Sequence, residues 1–143
     1  MSTTTGTMPA NELAIAHHAA EQLILHHYRN IDTGRATASV ELFAPNAIVT
    51  AAGHTTHGRE ELARALGRRE AQTERVTHHV ITNFAVLEAE QERILATGVL
   101  TRYRQGSQSL PDRVVRFEAE LLSFEDAWLI AAMAPDEASA VAL

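Results

Sequence analysis

The chain predicts an α+β fold: a cone-shaped, curved antiparallel sheet wrapped around a long N-terminal helix, with two further helices. Three observations carry this expectation. Apolar residues recur at helical spacing in the first part of the chain, the period changes to two after Arg75, and four period-two segments follow with only short turn-prone stretches between them. Strands joined so closely run antiparallel, and a sheet of long strands twists enough to curl around a helix and leave an open mouth.

Leu13, Ala16, Ala20, Leu23, Ile24, Tyr28 and Ile31 form one apolar stripe, which predicts a helix over residues 11–30 closed by Gly34. A short helix is expected over 36–43, punctuated by Pro45-Asn46, and then a small strand over 47–51. Gly53 and Gly58 bracket an expected loop. Residues 59–73 return to helix formers, with Leu62, Ala65, Leu66 and Arg69 in step. Strands are expected over 76–89, 94–105, 114–125 and 128–134, Trp128 filling the core from the last of them. The domain should therefore span 11–135, between a flexible N-terminal segment 1–10 and a flexible tail 136–143.

Composition narrows the classes of function. A chain of 143 residues with 45% hydrophobic content suits one domain with one core. Its net charge of −6 provides no basic stripe for a phosphate backbone, so nucleic acid is not an expected partner. The arginines at 64, 68 and 69 read as a solvated helix face paired with Glu60, Glu61 and Glu70, and Arg75 extends this local positive cluster. The absence of cysteine removes disulfides and thiolate chemistry. With no signal-like start and no run of about 18 apolar residues, no membrane partner is expected and the protein reads as soluble and cytoplasmic. Val114, Phe117 or Phe124 on the outer face of the long strands would need cover, which predicts a homodimer or homotrimer.

The histidines offer metal-site material in His17-His18, His26-His27 and His54-x-x-His57. Neighbours on a helix point about 100° apart and cannot share one ion, and there is no His-Glu-x-x-His pattern. No metal and no cofactor is expected, and only cross-spaced members such as His17 are placed to face the core. More informative is Asp32, at the end of the first helix, set against a histidine in Thr77-His78-His79-Val80-Ile81-Thr82-Asn83. A carboxylate that holds one imidazole nitrogen fixes the tautomer and raises the basicity of the other, making a general base without a cofactor. Strand alternation sends His78 and His79 to opposite faces, so one of them is the candidate.

The element order and several local motifs resemble the SnoaL-like branch of the nuclear transport factor 2-like superfamily, over roughly residues 12–135. The motifs are Tyr28 with Ile31-Asp32, Glu41-Leu42-Phe43-Ala44-Pro45-Asn46-Ala47, His57-Gly58-Arg59-Glu60-Glu61-Leu62, residues 77–83, and Ala127-Trp128-Leu129-Ile130-Ala131. Among members that abstract protons with an Asp–His dyad, namely scytalone dehydratases, bile-acid 7α-dehydratases and hexachlorocyclohexane dehydrochlorinases, the acid follows the first helix and the histidine opens the second strand. That resemblance implies Asp32 and His79 as catalytic residues, with Tyr28 and Asn83, the latter through a His-x-x-x-Asn pattern, as substrate-binding residues. It also shows departures: Ala51 stands where ketosteroid isomerases carry an aspartate, and only Arg102, Tyr103 and Arg104 lie near the place of the second histidine of scytalone dehydratase. The expected function is cofactor-independent proton transfer, as a dehydratase or other lyase or as an isomerase or cyclase, on a hydrophobic cyclic or polyketide-like small molecule. The alternative is a non-catalytic ligand- or partner-binding domain, such as a small subunit of a ring-hydroxylating dioxygenase.

Overall fold

A computed structural model describes residues 8–106 and 110–143, so most of the segment 1–10 lies outside the described residues. Helix α1 (Ala10–Asp32) starts after Pro9, with Glu12 in its first turn beside the positive end of the helix. It ends where Thr33 Oγ1 donates to the Arg29 carbonyl at 2.7 Å. A 3-10 helix (Ala36–Leu42) leads into β1 (Phe43–Ala51), which is longer than the small strand expected. β2 (His54–His57) occupies the expected loop, followed by α2 (Gly58–Ala71). The four long strands are β3 (Thr77–Ala89), β4 (Arg93–Arg104), β5 (Pro111–Phe124) and β6 (Ala127–Asp136).

The strands form one open sheet in the order β2-β1-β6-β5-β4-β3. β3 to β6 make the expected antiparallel meander, whose last turn places Glu125 and Asp126 at positive φ as a two-residue hairpin requires. The sheet is nevertheless mixed, because β1 lies parallel to β6. No short turn connects those two strands, so nothing local dictates their direction. Beyond β6, the expected flexible tail contains a 3-10 turn (Glu137–Ser139) held by Arg113 to Glu137 at 2.7 Å, and Val141 N–H donates to the Val114 carbonyl.

Ala16, Ala20 and Ile24 of α1 pack with Phe43 and Val49 of β1, Leu62 and Leu66 of α2, and the inner residues of β4 to β6. Along β5, Val115, Phe117, Ala119 and Leu121 are buried while Arg116 and Glu118 are exposed. Phe117 therefore belongs to the interior and not to the expected outer face, since strict alternation separates it from Val114, and Phe124 is also half-buried against the core. The phenyl ring fills space over Gly98, where an added Cβ would lie 2.9 Å from its Cε1. Opposite Gly98, β3 carries a bulge at Asn83-Phe84, with Asn83 at φ 53°. No helix among the described residues is long and apolar enough to cross a membrane.

Two glycines with opposite surroundings test this packing. Gly98→Ala should cost about 1–3 kcal/mol, because the Phe117 ring and the Thr82 carbonyl close the site. Gly67→Ala, inside α2 with no neighbour within 4 Å of the new methyl group, should stabilise by roughly 0.5–1 kcal/mol. Denaturant unfolding of both variants measures the two signs.

Candidate active site

Helical spacing puts Ile24, His27 and Ile31 on the inward side of α1 and sets Tyr28 one turn before Asp32. Asp32 is the last residue of that helix, where the exposed carbonyl ends make a carboxylate unfavourable. Three donors from β3 compensate. Thr77 Oγ1 donates to Oδ1 at 2.8 Å, the His79 backbone N–H donates to Oδ2 at 2.7 Å, and His79 Nδ1 lies 2.6 Å from Oδ1. Burial pushes the Asp32 carboxyl up, but the hydrogen bonds from the His79 ring and amide, the charge of His79 and the Thr77 hydroxyl outweigh it and hold the group below the usual aspartate value. An ionised carboxylate can only accept, so Nδ1 carries the proton and Nε2 is the basic nitrogen. The two side chains are 14% and 8% exposed, respectively. His78 is exposed, as alternation requires.

His79 lines a cavity of about 410 Å³ between the second half of α1, α2 and the inner face of the sheet. Its walls are largely apolar, with Ile31, Leu62, Leu66, Leu100, Phe117 and Met133 among them. Tyr28 also lines it and stacks on His79, with ring centroids 4.7 Å apart and planes 28° from parallel. Burial first, and then the Asp32 charge, push the Tyr28 hydroxyl up to about 12, so it remains a donor throughout the physiological range. Asn83 is brought nowhere near this group: it is exposed in the bulge and absent from the cavity wall. The bulge inserts one residue, so Phe84 takes the inward place that strict alternation would have given to Asn83.

His27 is the residue that sequence reasoning overlooked. It is 4% exposed, lines the cavity and sits edge-on to Phe43, with Nδ1 buried and without a hydrogen-bond partner among the described residues. Desolvation, followed by the proximity of His79, lowers its pKa to about 3, so it stays neutral. Its signal was the apolar stripe itself, since His27 lies three residues after Ile24 and four before Ile31. His17, expected to face the core, is half-buried against Phe84 at 5.1 Å. Among the described residues, no group of three or more metal-ligating side chains is assembled.

The pairing expected along α2 forms only in part. Arg64 meets Glu60 at 3.1 Å, but Glu61 accepts the His57 amide and Glu70 accepts the amide and hydroxyl of Thr37. Arg69 instead turns inward, donating to the Arg75 carbonyl and to Thr77 Oγ1.

Buried neutral His27 makes the fold sensitive to acid. Its folded pKa lies below its unfolded value of about 6.5, so the stability it permits is complete above pH 6.5 and is lost as pH falls toward 3. Asp32, whose folded pKa is also depressed, adds a loss only below about pH 4. Unfolding free energy should therefore drop by about 1.4 kcal/mol per pH unit more in the wild type than in His27→Phe between pH 6 and 4. Denaturant titrations at three pH values within that window measure the difference.

Comparison with known proteins accords with this architecture. The SnoaL-like domain profile matches residues 12–134. None of the curated proteins compared with the chain matches it significantly. Among solved structures, a candidate scytalone dehydratase from Novosphingobium aromaticivorans superposes with a TM-score of 0.71 at 15% identity, over 84% of this chain and 82% of that one. A candidate aromatic ring hydroxylase from the same organism gives 0.72 at 19% identity, covering 90% and 91%. A third protein of that organism, described as NTF2-like with a cystatin-like fold, gives 0.73 at 18% identity, covering 91% and 90%. At such identities the neighbours establish the shared fold, and with the profile spanning nearly the whole described domain, the chain belongs to the SnoaL-like domain family.

Proposed function

We propose that this protein is a cofactor-independent proton-transfer enzyme acting on a hydrophobic cyclic small molecule in the cytoplasm, with dehydration or another β-elimination as the leading reaction. The observation that carries this reading is the 2.6 Å contact between Asp32 Oδ1 and His79 Nδ1 at the wall of an apolar cavity. His79 Nε2 takes a proton from an acidic C–H bond, and Asp32 stabilises the imidazolium that forms. Tyr28, kept protonated, donates to an oxygen on which charge develops, or to the departing hydroxyl. The resulting carbanion or enolate can expel a β-hydroxyl, reprotonate elsewhere, or attack a second carbonyl, so isomerisation and cyclisation share the first step. The resemblance to a candidate scytalone dehydratase favours elimination.

Solvent deuterium exchange at the acidic carbon, read over a panel of β-hydroxy ketones and cyclic polyketide-like compounds, tests the reading. His79→Ala should abolish exchange, and Asp32→Asn should retain binding while losing roughly 10²–10⁴ in rate. Tyr28→Phe should cost roughly 10–100-fold without loss of fold. Unchanged exchange in His79→Ala would assign the proton to another base, and absence of exchange for every bound ligand would favour the non-catalytic alternative.

A homodimer joined through the outer sheet face accompanies this proposal. Val80 of β3 and Tyr103 of β4 are 42% and 38% exposed there. Light scattering at micromolar concentration should return about twice the chain mass of 15.6 kDa, and a monomer mass would refute the association.

A further inference from the structure

The cavity that holds the dyad is apolar in its walls and cationic at one side. Arg68, Arg69, Arg75, Arg102 and Arg113 all line it, in a protein whose net charge is −6. Two of these charges are answered within the fold: Arg102 by Asp112 at 2.8 Å and Arg113 by Glu137 at 2.7 Å. Arg69 and Arg75 are answered differently. Arg69 donates to neutral acceptors, the Arg75 carbonyl and the Thr77 hydroxyl. Among the described residues, Arg75 Nη1 donates to the side-chain oxygen of Gln72 at a long 3.4 Å, and its Nε is buried with no partner. The carboxylate of Asp32 is already committed to Thr77 and His79.

We propose that the cavity takes an apolar small molecule bearing a carboxylate or a phosphate, and that Arg69 and Arg75 hold that anion while the apolar body lies against His79. This narrows the substrate class of the proton-transfer reading and rests on the same cavity. A guanidinium presents planar, paired donors that match either oxyanion, and a partly dehydrated cavity strengthens the contact. Burial disfavours the charged form of both arginines. For Arg69, Asp32 acts against this while Arg102 and Arg104 add to it, and Arg75 is further opposed by Arg102, Arg69 and Arg104, with only Asp112 acting against them among the causes of its shift. A bound anion relieves that opposition. The link to the chemistry is short, because Arg69 donates to Thr77 Oγ1 at 3.0 Å and Thr77 donates to Asp32. An anion at Arg69 thus sits within two hydrogen bonds of the Asp32 carboxylate.

Calorimetric titration of the full chain with 2-naphthoate, 2-naphthyl phosphate and neutral 2-naphthamide separates charge from fit. At low salt, at least one anion should bind about tenfold or more tightly than the amide, with the preference shrinking as salt rises. The tighter anion identifies the group. Arg75→Gln should weaken that anion roughly five- to twentyfold and leave the amide unchanged, whereas Arg75→Lys keeps most of the preference. Arg64→Gln, outside the cavity, should change nothing. The salt dependence is read on the wild type, so the test survives a variant that fails to fold. His79→Ala should keep the anion preference, so an inactive dyad would count against proton transfer alone. Equal binding of amide and anions, equal weakening of all three by Arg75→Gln, or no binding of any would overturn the anion site.

Discussion

The site depends on three donors that converge on one carboxylate at the wrong end of a helix. Asp32 ends α1, where the helix field opposes negative charge, and it is tolerated because Thr77 and two groups of His79 surround it. The same contacts pin α1 to the first residues of β3. Fixing the imidazole and docking the helix on the sheet are therefore one interaction. A change that loosens either would move both, which ties the geometry of the imidazole to the integrity of the fold.

Around that anchor the polar groups are held in definite protonation states by burial. Tyr28 stays a phenol and His27 stays a neutral imidazole, although both lie within stacking distance of each other at 4.8 Å. Charge around the cavity thus rests on the Asp32–His79 pair and on the arginines that line it, of which Arg69 reaches the pair through Thr77. A low-dielectric wall with few competing dipoles gives each of these charges a longer reach than it would have in water.

What the sequence discloses follows the range of the interaction involved. The change of period near Arg75 is local, and it placed β3 to β6 within a few residues. Strand order is not local: the parallel β1–β6 neighbours lie far apart in the chain, and no turn residue announces them. The β1–β2 hairpin escaped notice because its turn is Ala52-Gly53, with alanine rather than asparagine or aspartate at positive φ. The Asp32–His79 contact was legible from family spacing joined to a chemical argument, whereas the outward place of Asn83 was not, because a bulge leaves almost no trace in a hydrophobic pattern. His27 was hidden by its neighbour, since a histidine doublet invites a metal reading and distracts from the stripe on which one member sits. The inward turn of Arg69 was equally obscured, because the glutamates near it on α2 were expected to pair with it and bind elsewhere.

The bulge at Asn83-Phe84 has a consequence for how this strand is divided. Before it, β3 supplies Thr77 to the Asp32 carboxylate and His79 to the cavity; after it, Phe84 and Val86 turn inward to pack on the core. A single inserted residue resets which side of the ribbon faces in, so the strand behaves as two segments with separate duties. The far segment can exchange one apolar residue for another without rephasing the near one. The protein can thus adjust its hydrophobic floor while the imidazole keeps its aim, much as a joint isolates a tool from the arm that carries it.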